Sequence, residues 1–198
     1  DVLLENGLQK VVNTIENHSD LKFLHGVQAS RCMGTGKLYK SDSLLKLCQQ
    51  FGWIDTCSFI SSNIVKGGDL KQAYINYANP EYNKGVFAQA AVILEHLASS
   101  PAAILDDPVV GLQDEEMTED TKKRWFLEED HATRYFYTLD AIKEIIKRQS
   151  VIPNKLPASF FRYHGYHLWE RHFNDLLAHY DHIQTSVHPN TFEIIKGY

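Results

Sequence analysis

The sequence has few cysteines and no long apolar run. Only three of its 198 residues are cysteines, at positions 32, 48 and 57, and no two of them have CxxC spacing. An odd count without that spacing argues against a framework of disulfide bonds and for a reducing compartment. No apolar run reaches the length of a membrane-spanning helix. We therefore expect a soluble, intracellular protein, cytoplasmic by default, with no membrane span.

Concentrated positive charge is also missing. The formal net charge is −5, and the densest basic cluster spans only residues 122–124. Extensive binding to nucleic acid or to an anionic membrane needs a concentrated basic face. The charge distribution therefore argues against nucleic acid as a partner. The sequence also lacks an internal repeat and any low-complexity tract, so the whole of 1–198 is expected to form a single domain.

The apolar residues recur mainly at helical spacing. This pattern predicts helices in five segments of the first half of the chain, at residues 2–16, 44–52, 54–65, 70–77 and 84–98. The third of these could also form a strand, because it is rich in Ser, Thr and β-branched residues. Prolines and a glycine then interrupt the pattern over residues 99–115, which predicts a loop and a minor break in the domain.

The second half of the chain predicts two longer helices. Residues 116–149 are expected to form one long amphipathic helix or two joined ones, with a β-hairpin over 122–139 as the alternative. Residues 159–185 are expected to form the C-terminal helix, with Ser159 as its N-cap. The predicted fold is therefore all-α: about seven helices in a bundle or irregular array, with the long helix packed on the C-terminal one.

The C-terminal segment contains six of the ten histidines. On a helix, His172, Asp175 and His179 share one edge, because residues three and four apart are neighbours. Two imidazoles and a carboxylate are suitable ligands for a divalent transition metal. Glu128 and His131 have the ExxH spacing of di-iron helical bundles and could contribute from the preceding helix. The alternative is that these histidines only occupy the boundary between core and solvent.

Arg162 and His167 are separated by four residues. This spacing resembles the RxxxxH motif of HEPN-type ribonucleases, which are all-α proteins. The resemblance implies that Arg162 stabilises the scissile phosphate and that His167 acts as general acid or base. Tyr163 follows the arginine here, whereas the family usually has a polar residue at that position.

Residues 34–37 read GTGK, which invites comparison with phosphate-binding loops. They lack the GxxxxGK[ST] spacing, and the sequence shows no clear strand before them. We interpret them as a glycine-rich connection between helices.

Tyr163 and Tyr166 lie off the apolar stripe of the predicted C-terminal helix. Tyrosine is enriched at the centres of protein interfaces, so this pair predicts a partner-binding surface. No complete catalytic motif is present. The preferred interpretation is a helical protein–protein interaction, scaffold or regulatory module without intrinsic catalysis, with a protein as its partner. The alternative is a metal-dependent or HEPN-like enzyme centred on the histidine-rich segment; the sequence leaves the oligomeric state open.

Overall fold

The computed structural model describes residues 2–28, 34–58, 60–68, 71, 87–111, 131–149, 156–163 and 166–167. Five α-helices lie within them: α1 (Gly7–Asn17), α2 (Leu44–Phe51), α3 (Trp53–Cys57), α4 (Ala88–Leu97) and α5 (His131–Arg148). So do seven strands: β1 (Val2–Leu3), β2 (Phe23–Gln28), β3 (Leu38–Ser41), β4 (Asn63–Val65), β5 (Ala102–Gly111), β6 (Arg162–Tyr163) and β7 (Tyr166–His167). Short 3₁₀ turns cover Ile60–Ser62 and Ala158–Phe161. The prediction of an all-α array of about seven helices is wrong, because the fold contains a curled mixed sheet.

Strand β5 is the centre of that sheet. Strand β2 runs parallel to it along one edge, and β4 pairs antiparallel with the outer edge of β2. The other edge of β5 is shared by two antiparallel strands. β3 pairs with residues 102–105, and β1 pairs with Val110 and Gly111. The ten residues of β5 therefore hold three other strands together.

The segment expected to be a loop, residues 99–115, thus contains the central strand. Nearly every residue of β5 is buried, since the sheet is covered on both faces there. A strand buried on both faces is a continuous apolar run without the period-two alternation that identifies a half-buried strand. The prolines that suggested a loop are tolerated. Pro101 precedes the strand, and Pro108 lies where the pairing with β2 shifts register.

The two faces of the sheet are covered very differently. The face presenting Phe23, Val27, Ala102 and Ile104, called here the covered face, packs against residues of α2, α3, α4 and α5. The opposite face presents Leu24, Ala103 and Leu105 and packs against Val11 of α1. Within the described part of the chain, α1 is the one helix on this second face, called here the α1 face.

The helices of the first half match the predictions in part. α2 lies inside its predicted range and is capped by Ser43, whose hydroxyl accepts a hydrogen bond from the Lys46 amide, and α4 also lies inside its predicted range. α1 begins only at Gly7, because Val2 and Leu3 pair with β5 instead. The expected helix over 54–65 is divided into the end of α3, a 3₁₀ turn and β4. The helix predicted over 70–77 falls almost wholly outside the described residues.

The C-terminal predictions fare differently. α5 confirms the second half of the predicted helix over 116–149, and it ends within one residue of the expected position. Residues 112–130, including most of the alternative hairpin, lie outside the described residues. Ser159 does not cap a helix: it lies in a 3₁₀ turn, and its hydroxyl donates to the Gln49 carbonyl at the end of α2. No helix in the described part of the chain is long and apolar enough to cross a membrane.

The GTGK segment is hydrogen-bonded to the central strand β5. Gly34 and Gly36 have φ values of +68° and +64°, a region that glycine occupies without steric cost. Between them, the Thr35 hydroxyl and amide both donate to the Asp106 carboxylate, and the Gly36 amide donates to the Asp106 carbonyl at 2.9 Å. A strand, β2, precedes this segment, contrary to expectation. The amides of Thr35 and Gly36 are nevertheless used internally rather than left to bind phosphate.

The close approach of α1 to the sheet predicts a cost for any side chain at Gly7. A Cβ atom there would lie 2.6 Å from the Val109 carbonyl oxygen, a backbone atom that cannot rotate away. We expect Gly7→Ala to lower the free energy of unfolding by about 1–2 kcal/mol, measured by urea denaturation. Gly68→Ala is the matched control, because a Cβ there meets nothing within 4 Å. Equal stability of the two variants would contradict this packing.

Candidate partner-binding surface

Helix α1 is fixed to the α1 face along one side only. Gly7 makes the close backbone approach to β5, and Val11 is 7% exposed against Leu24 and Ala103. Lys10 lies on the side of Val11 that is away from Leu8, and its ammonium is 2.6 Å from the Asp107 carboxylate of β5. Both side chains are about one-third exposed, so the ion pair orients the helix more than it stabilises it. Together these contacts determine which side of α1 faces solvent.

The exposed surface of α1 that adjoins its buried side is apolar. At 100° per residue, Leu8, Val12 and Ile15 fall within an arc of about 60°, next to the arc that contains Gly7 and Val11. They are 61%, 37% and 40% exposed. These three residues are called here the α1 stripe. The apolar arc of the helix is thus wider than the sheet can cover, and its outer part is left in water.

Strand β1 also carries exposed apolar residues. Val2 and Leu3 are 45% and 58% exposed. Leu3 lies beside Gly7 at the start of α1, whereas Val2, its neighbour on the strand, points to the other face of the sheet. Five of the seven large apolar residues that are exposed in the described part of the chain therefore lie within its first fifteen residues. Isolated exposed apolar residues are normal, but a cluster of this kind is typical of interaction surfaces.

A groove lies beside α1 on the same face of the sheet. Its volume is about 350 Å³, and Ile15 of the stripe forms part of its wall. Leu24 and Ile64 also line it; they are directly paired between β2 and β4, so their side chains point to the same face. The groove is therefore the part of the α1 face that α1 leaves uncovered, and it continues the stripe.

Two lysines mark the end of this groove. Lys22 and Lys66 both line it, and the Lys66 amide donates to the Lys22 carbonyl at 3.3 Å. This bond continues the β2–β4 ladder one position beyond the Phe23–Val65 pair. The two lysines therefore stand opposite each other on the α1 face. Glu16, at the end of α1, contributes a negative charge to the opposite wall.

The covered face contains a buried histidine, His25, which is 3% exposed. Its Nδ1 lies 3.0 Å from the Asn63 Oδ1, and the Asn63 Nδ2 donates to the Cys57 carbonyl at 2.8 Å. Because a carbonyl accepts only from the amide nitrogen, Asn63 presents its oxygen to the imidazole. Nδ1 is therefore the protonated nitrogen, and the chain of bonds ties β2 to β4 and α3.

The residues predicted to bind a metal are almost all outside the described part of the chain. His172, Asp175, His179 and Glu128 lie beyond it, and His131 is the first residue of α5, described by its backbone alone. Among the residues that the structure describes, no three His, Cys, Asp or Glu side chains are grouped so that they could hold a metal ion. The transition-metal hypothesis stays a prediction.

The residues of the predicted ribonuclease motif are close together, but not on a helix. Arg162 lies directly opposite His167, and Tyr163 opposite Tyr166, across the antiparallel pair β6–β7. The all-α fold that the HEPN resemblance implies is not the fold of this chain. Tyr163 and Tyr166 therefore belong to a pair of antiparallel strands rather than to a helix face, and their role in partner binding stays a prediction.

Sequence reasoning did not identify the α1 stripe as a candidate site. The apolar period of residues 2–16 places Leu4, Leu8, Val11, Val12 and Ile15 on one helix face, but it does not divide that face into a buried and an exposed part. The sequence feature that could have revealed the stripe is the width of the apolar arc, which runs from Gly7 through Val11 to Val12. An arc of this width is wider than the part of a helix that a single sheet face buries. Comparisons with protein-family models, with curated proteins and with solved structures find no match to this chain.

Proposed function

We propose that this chain is a protein–protein interaction domain of the scaffold or regulatory kind, and that it binds its partner through the α1 stripe. The observation that carries this proposal is the exposure of Leu8, Val12 and Ile15 on a helix whose neighbouring side is anchored to the sheet. The exposed Leu3 of β1 lies beside the start of the same helix. A rigid element that presents a contiguous apolar patch is suited to binding a protein surface without rearrangement.

The energetics favour such a role. Burying a fully exposed Leu, Val or Ile side chain contributes about 1.5–3 kcal/mol, so completing the burial of each half-exposed stripe residue contributes about 1 kcal/mol. The stripe then contributes several kcal/mol to binding, enough for a central cluster of an interface. It contributes less to folding than core residues do, because Leu8, Val12 and Ile15 keep 61%, 37% and 40% of their surface in water. Substitutions there should therefore separate binding from stability.

Leu8→Asp is the sharpest test of this proposal. A carboxylate at the most exposed stripe position leaves the free protein folded, but it would be buried without a partner charge in the complex. We expect the variant to weaken partner binding at least tenfold, with a change in unfolding free energy of about 0.5 kcal/mol or less. The measurement is the size of the native complex in extracts of the source cells, by size-exclusion chromatography with detection of the tagged chain.

Asn13→Asp is the matched control. It places the same charge on the same helix, on the polar side away from the stripe, at a residue that is already exposed. The proposal requires that the wild type and Asn13→Asp elute in the larger complex and that Leu8→Asp elutes at the size of the free chain. Equal elution of all three proteins would overturn it.

A further inference from the structure

We infer that strand β3 pairs edge to edge with β3 of a second copy of this chain, so that the two sheets become one continuous sheet. The two strands run antiparallel, and a twofold axis passes between them at Tyr39. This inference goes beyond the proposed function, because it concerns an edge of the sheet and not the α1 stripe.

The outer edge of β3 is open. The Asp106 amide of β5 donates to the Lys37 carbonyl at 2.9 Å, so the backbone carbonyl of Lys37 faces β5. Backbone groups alternate in direction along an antiparallel strand, so those of Tyr39 also face β5, whereas those of Leu38 and Lys40 face away. Within the described residues, β3 pairs with β5 alone. Leu38 and Lys40 therefore present the amides and carbonyls that a further strand would bind.

Symmetry and charge select one register for this pairing. Residues opposite each other must point to the same face of the sheet, so one residue of β3 lies opposite its own copy. An axis at Lys40 would place two lysines directly opposite each other, which is unfavourable. An axis at Leu38 would place Lys40 opposite Gly36, whose φ of +64° is not that of a strand. An axis at Tyr39 places Leu38 opposite Lys40 of the second copy, and such a pair exchanges two hydrogen bonds.

The side chains suit this register on both faces of the sheet. On the covered face, Tyr39 packs against Phe51 with ring centroids 5.1 Å apart, and in the dimer it lies opposite its own copy. Aromatic pairs across neighbouring strands stabilise a sheet. On the α1 face, Leu38 packs against the apolar cluster of that face and presents an apolar neighbour to the alkyl stem of Lys40 of the second copy.

Lys40 does not close this edge to a second strand. A lysine on an edge strand usually discourages pairing. Here the Lys40 ammonium is directed towards its own chain, 3.2 Å from the His18 Nδ1 and 3.5 Å from a carboxylate oxygen of Asp20. Its side chain is 38% exposed, so its charge can remain in water while its stem lies along the edge.

The pairing has a consequence for the α1 stripe. The twofold axis is perpendicular to the joined sheet, so the α1 faces of both copies lie on the same side. The dimer therefore presents two α1 stripes in one direction, and a partner with two matching sites would bind it with avidity. This consequence rests on the proposed function, whereas the strand pairing does not.

Sedimentation velocity of the purified full chain over a range of concentrations tests the pairing. We expect a reversible monomer–dimer equilibrium. Lys40→Pro should raise the dimer dissociation constant at least tenfold, because proline removes an amide from the outer edge and leaves the bonds to β5 in place. Lys40→Ala is the matched control, since it removes the same side chain but keeps the amide, and it should change the constant far less. A chain that stays monomeric at every concentration would overturn the inference, as would equal effects of the two substitutions.

Disulfide cross-linking tests the register without the proline variant. Tyr39→Cys places two thiols at a pair without mutual hydrogen bonds, where the Cα atoms are about 4.5 Å apart and a disulfide can form. Oxidation by oxidised glutathione should give a covalent dimer. Asn13→Cys, on the polar side of α1, and the wild type should stay uncross-linked. If Tyr39→Cys cross-links no more than these controls, the two strands do not pair in this way.

The outcome can be separated from that of the proposed function. Leu8→Asp should leave the dimer of the purified chain intact, because the α1 stripe takes no part in the strand pairing. Loss of the dimer in this variant would place the contact between copies on α1 and contradict the inference. A monomeric wild type would leave the proposed function standing.

Discussion

Replacing Trp53 by alanine is expected to lower the free energy of unfolding by about 3–5 kcal/mol. Trp53 lies on the short helix α3 and is completely buried in the core beneath the covered face. Its ring packs edge-on against Phe87, with centroids 5.9 Å apart and an interplanar angle of 75°. Alanine would remove this contact and leave a cavity that the surrounding helices fill only in part. Urea denaturation of the two proteins measures the difference.

Trp53→Phe is the control for the size of the cavity. It keeps an aromatic ring against Phe87 but loses the second ring of the indole, so we expect an intermediate loss of about 1–2 kcal/mol. Partner binding by the folded fraction of both variants should be unchanged, because Trp53 lies on the side of the sheet opposite the α1 stripe. A loss below 1 kcal/mol for Trp53→Ala would show that α3 is not packed as described.

Replacing Asp106 by alanine is expected to lower the free energy of unfolding by about 2–4 kcal/mol. The carboxylate lies on β5, its residue is 2% exposed, and it accepts hydrogen bonds from both the amide and the hydroxyl of Thr35. Hydrogen bonds to a charged group each contribute about 1.5–3 kcal/mol. Their loss would release residues 34–37 from the central strand, so hydrogen exchange of the Thr35 and Lys37 amides should also accelerate.

Asp106→Asn is the control for shape. It keeps an oxygen that can accept from Thr35 but removes the charge. We therefore expect Asp106→Asn to lose less than half of the unfolding free energy that Asp106→Ala loses. Thr35→Val removes the hydroxyl donor and should cost about 1 kcal/mol. If Asp106→Ala and Asp106→Asn have the same free energy of unfolding, the hydrogen bonds between Thr35 and Asp106 do not stabilise the fold as proposed.

The helices of this fold could be predicted from the sequence because their signals are local. α2 follows a serine cap and ends at Gly52, where φ is +96°, and α5 shows the apolar period over eighteen residues. Each of these signals lies within the helix itself. Capping and amphipathic periodicity act over one or two turns, so a single sequence reveals them.

The sheet could not be predicted in the same way. β2 contains a buried histidine and a glycine whose Cβ would lie 3.0 Å from the Val109 side chain, which is a poor local signal for a strand. β5 is interrupted by two aspartates and a proline. Both strands are stabilised by pairing with residues distant in the sequence: β2 pairs with β5 some eighty positions later. A propensity argument does not include that pairing.

The candidate site shows the same limit. The apolar period of α1 shows that Leu8, Val11, Val12 and Ile15 share one side of a helix. It does not show how far the sheet extends beneath them. The outcome depends on Gly7 and Lys10, which contact β5 and rotate the helix so that Val11 faces inward and Leu8 outward. Those contacts join positions about a hundred residues apart, and only the folded chain reveals them.

Peptide-resolved thiol labelling tests most directly whether the α1 stripe binds a protein. Leu8→Cys and Asn13→Cys would be labelled with a maleimide, both in the purified chain and in intact source cells. Native Cys48 and Cys57 give little background, because both are buried and burial raises the pKa of the Cys57 thiol. Cys32 follows Arg31, so trypsin places it on a different peptide from positions 8 and 13. Position 13 should label rapidly in both settings, whereas position 8 should label rapidly in the purified chain and at least tenfold more slowly in cells. Equal labelling of position 8 in both settings would contradict the assignment of this surface to a partner.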